Sequence, residues 1–492
     1  AVKKERSTQI FGNEMTPAVI AKAEKTKRKF LKEFGDDSGT EFIVTGYDIP
    51  ELDRMGVRNL GVERASGRDG TPVNLESDPK AVVIGNIRMG FGHYRISIAM
   101  ASAARSLGYH PWLFDLHSFK ETTGGKIIAK QNSLYSLGSR LSQQYALFNK
   151  LYWEPLNSEG FRKLSYNAVD QKTAELMATP CALLPRDIPY VATHVWPSQA
   201  AIHAGMTHVV NAIPDNWPMA LHLSEGAIHT VQTPSSWFGY KTLNGMCADR
   251  ILKPMDDGSL VYTGHYIDHE LVSNLEQDTA ARIARLSSNS TKRVLLTVGG
   301  AGAQKELFAA LINSMLPLVE KNKVALFINV GDHQSVFESL KNEIPALSRA
   351  NVHANDWDET VSFADQALRG DVQGIHLFWN KSIFSAVYAT NLLMRASDLL
   401  ITKPSELAFY PVPKLHIKRI GGHEAWGAIR SAEVGDGTIE CPSTPQALNM
   451  LDLLLNGTEA LTLMNESILT AAKSGIYSGA YRAVELAVAG RA

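Results

Sequence analysis

The chain has 492 residues, with 49 Lys and Arg against 50 Asp and Glu. That length allows two or three domains with a large buried core, and the balanced charge excludes a global field that would select nucleic acid. Three cysteines, Cys181, Cys247 and Cys441, are too far apart in sequence for a metal knuckle or a disulfide framework. With no membrane-length apolar run and no apolar core of a secretion signal at its start, the chain is expected to be a cytoplasmic protein.

Residues 1–78 are predicted to form an N-terminal extension that is partly helical. Thr16-Pro17 is typical of a helix start. The helix that follows carries Lys22, Lys25, Lys27, Arg28, Lys29 and Lys32. Such a basic segment, residues 16–34, suits peripheral contact with an anionic membrane, although most charge runs are simply solvated faces. The Gly/Asp/Pro-rich stretch 65–72 is expected to be a linker or a long surface loop.

Strand and helix patterns alternate after the extension, which favours an N-terminal Rossmann-like domain over residues 79–288. A strand at 81–85, a helix at 96–107 and a strand at 112–115 have the spacing of a βαβ unit with parallel strands. Further strands are expected at 189–194, 208–213 and 229–233. Between them, residues of about 120–185 are polar and helical, and are predicted to be an insertion that carries acceptor contacts.

The polar segment 287–291 marks the predicted boundary to a C-terminal Rossmann-like domain, residues 289–445. The same rhythm repeats there, with strands expected at 294–298, 323–329, 351–354 and 398–402. Residues 446–492 are predicted to be mainly helical and able to cross back to the first domain.

The first of two glycine turns follows the strand that begins at Ala81. The turn contains Gly90 and Gly92 and ends at His93. Glycine lets backbone N–H groups approach an anion or a sugar closely, and a helix that begins there adds its positive dipole end. His93 is a candidate base, because the imidazole pKa lies near neutrality. The alternative is a helix-capping histidine without chemistry.

The second glycine turn has the same build and contains Gly299, Gly300 and Gly302, followed by Lys305. A diphosphate suits its exposed N–H groups, with Lys305 adding charge if it points inward. The alternative is a tight strand-to-helix turn that binds nothing. The spacing fits neither Gly-x-Gly-x-x-Gly nor a Walker loop, which argues against an ordinary NAD site or an ATP-hydrolysing loop.

Two later turns carry polar side chains. The first places Lys403, Ser405 and Glu406 after the apolar strand 399–402, where a carboxylate can accept both hydroxyls of a ribose. The alternative for Glu406 is an interaction with a helix dipole. The second is a glycine turn with candidate sugar-binding groups, Gly422, His423 and Glu424.

Aromatic and polar residues also cluster near predicted strand ends of the first domain. His194 and Trp196 lie in one stretch, and Asp215 and Trp217 in another. Aromatic faces stack on sugar rings while carboxylates accept their hydroxyls, so the composition suits a carbohydrate cleft. Tryptophan beside proline is equally typical of core packing.

These residues resemble the GT-B glycosyltransferases, especially the branch with monogalactosyldiacylglycerol synthase, diacylglycerol glucosyltransferases and the peptidoglycan N-acetylglucosaminyltransferase. The resemblance covers residues 81 to about 440 in order. It rests on Gly90–His93, on the run from Thr193 through Asp215 and Pro218, on 261–268, on 298–302, on 398–406 and on 421–424. The chain departs from the family in its short Thr402–Glu406 connection, in His423 where Gln is frequent, and in its N-terminal extension.

The resemblance implies two Rossmann-like α/β domains with parallel sheets facing a central cleft. It also implies inverting transfer of a sugar from a nucleoside-diphosphate sugar, with UDP favoured, to a hydroxyl acceptor such as a lipid or glycan. His93 is then the base, and Asp215 its rival or orienting partner. The acceptor-side residues are Gly90, Gly92, His194, Trp196 and Trp217. The donor-binding residues are Gly299, Gly300, Gly302, Lys403, Ser405, Glu406, Gly422, His423 and Glu424.

No metal-ligand cluster is evident in the sequence, so metal-independent transfer without a cofactor is expected, the helix dipole taking over the electrostatic task. Two alternatives stay open: a nucleotide-sugar epimerase on the same scaffold, and a non-catalytic protein that binds a nucleotide sugar. The sequence does not identify the sugar, the base, the acceptor or the oligomeric state.

Overall fold

The computed structural model describes residues 5–298 and 304–489. Its strands are β1 (Gln9–Ile10), β2 (Asn13–Glu14), β3 (Phe42–Tyr47), β4 (Arg58–Arg64), β5 (Thr71–Pro72), β6 (Ala81–Asn86), β7 (His110–Asp115), β8 (Tyr190–Ala192), β9 (Val209–Ala212), β10 (Ile228–Val231), β11 (Leu260–Tyr262), β12 (Lys292–Thr297), β13 (Val324–Asn329), β14 (Asn351–Ala354), β15 (Gly374–Trp379), β16 (Leu399–Thr402) and β17 (Lys414–His416).

The α-helices of the described residues are α1 (Pro17–Phe34), α2 (Pro50–Arg54), α3 (Phe91–Ser106), α4 (Thr123–Gln144), α5 (Ala146–Phe148), α6 (Leu164–Ala174), α7 (Ala178–Ala182), α8 (Val195–His203), α9 (Pro234–Lys241), α10 (His269–Ser273), α11 (Leu275–Ser287), α12 (Lys305–Glu320), α13 (Gln334–Glu343), α14 (Trp357–Arg369), α15 (Ile383–Ala396), α16 (Ala425–Val434), α17 (Thr444–Asn456), α18 (Glu459–Lys473) and α19 (Gly479–Val488). None of these helices is both long and apolar enough to cross a membrane.

The chain folds into two compact units. The first contains the described residues up to His269, together with 421–423 and 478–489, and the second contains Glu270–Ile420 and Glu424–Tyr477. The second unit begins with α10 and α11. Arg285 of α11 forms an ion pair of 2.8 Å with Asp398 of the same unit.

The sheet of the first unit has, among the described residues, nine strands in the order β11-β10-β9-β8-β6-β7-β4-β3-β5. The strands from β11 to β4 are parallel, while β3 runs antiparallel to β4 and β5. Strands β3 and β4 from the predicted N-terminal extension, and β5 from the predicted linker, therefore belong to this sheet. Their side chains alternate, and Phe42, Val44, Leu60 and Val62 are buried against its core.

The sheet of the second unit has the order β14-β15-β13-β12-β16-β17 over the described residues, with every pairing parallel. Its centre is fully buried, as expected for a parallel sheet with helices on both faces. Both units therefore have the predicted Rossmann-like α/β topology, and the fold class is confirmed.

Each sheet reverses its strand order at one position. In the first unit the chain goes from β6 to β7 on one side, and β8 lies on the other side; in the second, β13 and β16 flank β12 in the same way. Parallel α/β sheets bind ligands in the crevice outside the carboxyl ends of the strands at such switch points. The ends of β6 and β8, and those of β12 and β16, are therefore where sites are expected.

Candidate functional site

His93 lies in the first turn of α3, just beyond the carboxyl end of β6. Gly90 precedes the helix with φ of 122°, a conformation that favours glycine. The His93 Nδ1 atom lies 2.9 Å from the carbonyl oxygen of Thr193. A carbonyl oxygen only accepts, so Nδ1 carries the proton, and Nε2 holds the lone pair when the ring is neutral. The geometry suits a general base at Nε2.

Thr193 ties the two loops of this switch point together. Its N–H donates to the Gly85 carbonyl over 2.9 Å, and its Oγ1 lies 2.6 Å from Ser97 Oγ on α3. The residue after β8 and the first turns of the helix after β6 are thereby held in register. His93 is consequently anchored by buried groups from both flanking strands.

His194 lies beside His93, with ring centroids 4.8 Å apart. Its Nδ1 accepts a hydrogen bond from the Trp196 N–H over 3.1 Å, which caps α8. Burial lowers the pKa of His194 well below its ordinary value, and the neighbouring His93 and His222 imidazoles lower it further. His194 is therefore neutral at physiological pH, with its proton on Nε2.

Asp215 is hydrogen-bonded to His222, a residue that the sequence analysis did not identify. His222 Nε2 lies 2.8 Å from Asp215 Oδ2, and the Asp215 side chain keeps 32% of its surface exposed while that of His222 keeps 6%. Burial opposes ionisation of Asp215, but the hydrogen bond from His222 and the charge of nearby imidazoles outweigh it, so the pKa of Asp215 lies well below its ordinary value. His222 is the last residue of a short 3₁₀ helix, Ala220–His222, and the sequence analysis found no motif there that pointed to it.

The two predicted tryptophans differ in environment. Trp196 is buried in the core of the first unit, and its Nε1–H donates to Asp170 Oδ2 over 3.1 Å. Trp217 is half-buried, with the Arg162 guanidinium 4.3 Å from its ring centroid. Gly90 is exposed and Gly92 is half-buried at the start of α3. Of the two rings, that of Trp217 is the more accessible.

In the second unit, the predicted donor segments leave adjacent strands. Thr297 at the end of β12 donates from Oγ1 to Thr402 Oγ1 at the end of β16, over 3.0 Å. The glycine turn begins two residues after Thr297, and its predicted phosphate-binding residues, Gly299, Gly300 and Gly302, lie outside the described residues. Both donor segments therefore start from the same switch point.

The turn after β16 places its polar residues as follows. Lys403 forms an ion pair with Glu424, whose other carboxylate oxygen accepts from the Ile420 N–H over 2.8 Å. Ser405 and Glu406 are half-buried, and Glu406 opens a short 3₁₀ helix. The remaining two predicted donor residues, Gly422 and His423, group with the first unit instead.

Two further features bear on the charge of the site. Lys305 forms an ion pair with Glu343 of α13, so the charge of Lys305 is compensated there.

Within residues 5–298 and 304–489, no group of three or more His, Cys, Asp or Glu side chains is arranged to hold a metal ion.

Comparisons with known proteins give two family matches. The model described as Domain of unknown function (DUF6937) matches residues 9–242, and that described as Domain of unknown function (DUF6938) matches residues 255–488. No curated protein matches the chain.

Among solved structures, the chain is similar to UDP-GlcNAc 2-epimerase from Neisseria meningitidis bound to UDP-GlcNAc, at 13% identity and a TM-score of 0.44, covering 82% of this chain and 98% of that one. It is also similar to an alpha,alpha-trehalose-phosphate synthase (UDP-forming) from Burkholderia vietnamiensis, at 11% identity and a TM-score of 0.42, covering 84% and 99%.

Proposed function

We propose that the protein is a glycosyltransferase that moves a sugar, with inversion, from a nucleoside-diphosphate sugar to a hydroxyl group of a lipid or glycan. One observation supports the proposal above others: in each unit, a segment singled out from the sequence follows a strand at the switch point of a parallel sheet. His93 follows β6 in the first unit, and Lys403, Ser405 and Glu406 follow β16 in the second. Such positions are where this topology binds ligands.

In the proposed reaction, His93 Nε2 removes the proton of the acceptor hydroxyl as its oxygen attacks the anomeric carbon. The bond from that carbon to the diphosphate oxygen breaks, and the nucleoside diphosphate leaves with the electron pair. Glu406 holds the ribose hydroxyls, and the turn after β12 takes the diphosphate at the N-terminal side of α12. UDP is the nucleotide that the resemblance favours, and no metal or cofactor takes part.

The proposal is tested by a thermal-shift screen of UDP, GDP, ADP and TDP and of their hexose conjugates. A ligand that binds only the folded state raises the melting temperature, by an amount set by its concentration and affinity. Turnover of the best conjugate is then followed with and without EDTA. Loss of turnover in EDTA that Mg²⁺ or Mn²⁺ restores would contradict the metal-independent reaction.

A second candidate function is nucleotide-sugar epimerisation without an acceptor. The observation in its favour is the number of acid and base groups gathered at one switch point: His93, His194, Asp215 and His222. Incubation of the protein with a labelled nucleotide sugar alone separates the two reactions. An isomerised nucleotide sugar supports the epimerase, and an unchanged one argues against it.

We further propose that the protein works in the cytoplasm and touches an anionic membrane through α1. The buried residues of α1, Ala23 and Phe30, face the rest of the protein. The exposed side carries Lys22, Lys25, Arg28, Lys29 and Lys32. Each such cation is worth about 1 kcal/mol near an anionic surface. Sedimentation with vesicles that contain phosphatidylserine tests this contact, and replacement of the four lysines by Gln should abolish it.

A further inference from the structure

The segment that carries His222 is held by buried amide side chains. Asn167 Nδ2 donates to the carbonyl oxygens of Ala220 and Leu223, each over 2.8 Å, and Gln199 Nε2 donates to Leu223 as well, over 3.0 Å. Asn211 Nδ2 donates to the carbonyl oxygen of His222 itself, over 2.7 Å. These amides come from α6, α8 and β9, so three elements of the first unit fix one short stretch of backbone.

Two more buried groups hold the residue that follows this stretch. The Ser224 N–H donates to His229 Nε2 over 2.9 Å, and Ser198 Oγ donates to Ser224 Oγ over 2.8 Å. His229 is fully buried, and its Nδ1–H donates to the Ser259 carbonyl. Together with the three amide donors, these buried hydrogen bonds restrain the backbone on both sides of His222.

With its backbone held in this way, the His222 side chain contacts the Asp215 carboxylate. The Asp215 carboxylate is ionised and only accepts, so the 2.8 Å contact is a hydrogen bond from His222 Nε2–H to Oδ2. One carboxylate oxygen is thereby occupied and oriented. The side chain of Asp215 nevertheless stays about one-third exposed, so acceptor capacity is left for a group that arrives from solvent.

We propose that Asp215 binds a sugar hydroxyl of the acceptor and that His222 is its positioning residue. The inference rests on the proposed function, and it names the ligand chemistry of the first unit: a polyhydroxylated molecule that donates a hydroxyl hydrogen bond to Asp215 beside His93. His222 acts through Asp215 and does not touch the ligand.

The experiment uses n-octyl β-D-glucopyranoside, which presents sugar hydroxyls beside an alkyl chain, as the acceptor probe. The variants are His222→Leu, which removes the donor, His222→Gln, which keeps an N–H donor, and Asp215→Asn, which removes the charge. The control is His110→Gln, which changes another His–Asp pair. His110, at the amino end of β7, is exposed, and its Nδ1 lies 2.9 Å from Asp78 Oδ2.

For His222→Leu, the KM of the probe should rise on the order of 10- to 100-fold, the loss expected for a hydrogen bond to a charged group, while kcat changes less. His222→Gln should recover most of that loss, and His110→Gln should match the wild type. Equal behaviour of His222→Leu and His110→Gln would overturn the inference.

A second readout does not depend on turnover. In protein labelled with ¹⁵N-histidine, the His222 ring should carry its proton on Nε2, and saturating probe should shift the His222 signals in the wild type but not in Asp215→Asn. Absence of that shift in the wild type overturns the inference. A shift without any nucleotide-sugar binding or turnover overturns the proposed function alone, and still supports a hydroxyl-binding pair.

Discussion

The His93 ring and the Thr193 carbonyl are joined over 2.9 Å, although 100 positions separate them in the chain. The contact links the helix after β6 to the loop after β8, and it assigns the ring proton to Nδ1 before any ligand arrives. A base with a preset tautomer needs no rearrangement when it takes a proton. The contact therefore supports a chemical role for His93 more strongly than its place in a glycine turn does.

Replacement of His93 by Ala should lower turnover of the nucleotide sugar by about 10²- to 10⁴-fold, the usual contribution of a positioned general base. The affinity for the nucleoside diphosphate should stay unchanged, because that ligand is assigned to the second unit. Steady-state kinetics and a thermal shift with UDP measure the two effects. His208→Gln, a change outside this cluster, is the control, and unchanged turnover in His93→Ala would remove His93 from the base role.

Replacement of Glu406 by Gln should weaken binding of the nucleoside diphosphate on the order of 10- to 100-fold, because hydrogen bonds to a charged acceptor are worth about 1.5–3 kcal/mol. Isothermal titration with UDP measures the affinity. Glu338→Gln changes an exposed carboxylate on α13 of the same unit and should have no effect. Equal affinities of the two variants would rule out the ribose contact.

Asp170 gives a prediction about pH. Burial raises the pKa of Asp170 to about 7, although the hydrogen bond from Trp196 acts in the opposite direction. The unfolded chain has a carboxyl pKa of about 3.9. The stability that this group contributes is thus fully present below about pH 4 and is lost as the pH rises through 7, by at most about 4 kcal/mol.

An Asn at position 170 is neutral at every pH and still accepts from Trp196. The Asp170→Asn variant should therefore be more stable than the wild type at pH 8 and about equal to it below pH 4. Urea unfolding at the two pH values measures the difference. Asp365→Asn, at an exposed site on α14, should show no such change, and a wild-type advantage at pH 8 would contradict the prediction.

Gly479 begins α19, and a Cβ atom there would lie 2.1 Å from the Gly264 carbonyl oxygen. Since that oxygen belongs to backbone, it has little freedom to move. Gly479→Ala should lower the free energy of unfolding by about 1–3 kcal/mol, the range for overpacking. Gly39, with nothing within 4 Å of the equivalent atom, supplies the control Gly39→Ala. Equal melting temperatures of the two variants would disprove the close approach.

Most regular elements are predictable from local sequence. Apolar runs such as 81–86 and 324–329 are strands, and Thr16 caps α1 by accepting from the Val19 N–H. Strands β11, β15 and β17 were not predicted, although half of the β15 residues are buried. A short apolar run does not by itself distinguish a strand from a buried helical segment.

The sequence alone determined the alternation of strands and helices and the place of His93 in the turn between β6 and α3, because these depend on residues close together in the chain. Only the tertiary structure decided that β3, β4 and β5 extend the first sheet, that Trp196 is buried against Asp170, and that Asp215 pairs with His222. Strand pairing and hydrogen-bond partners are set by packing between distant segments, and the pattern within one segment does not identify the segment that it pairs with.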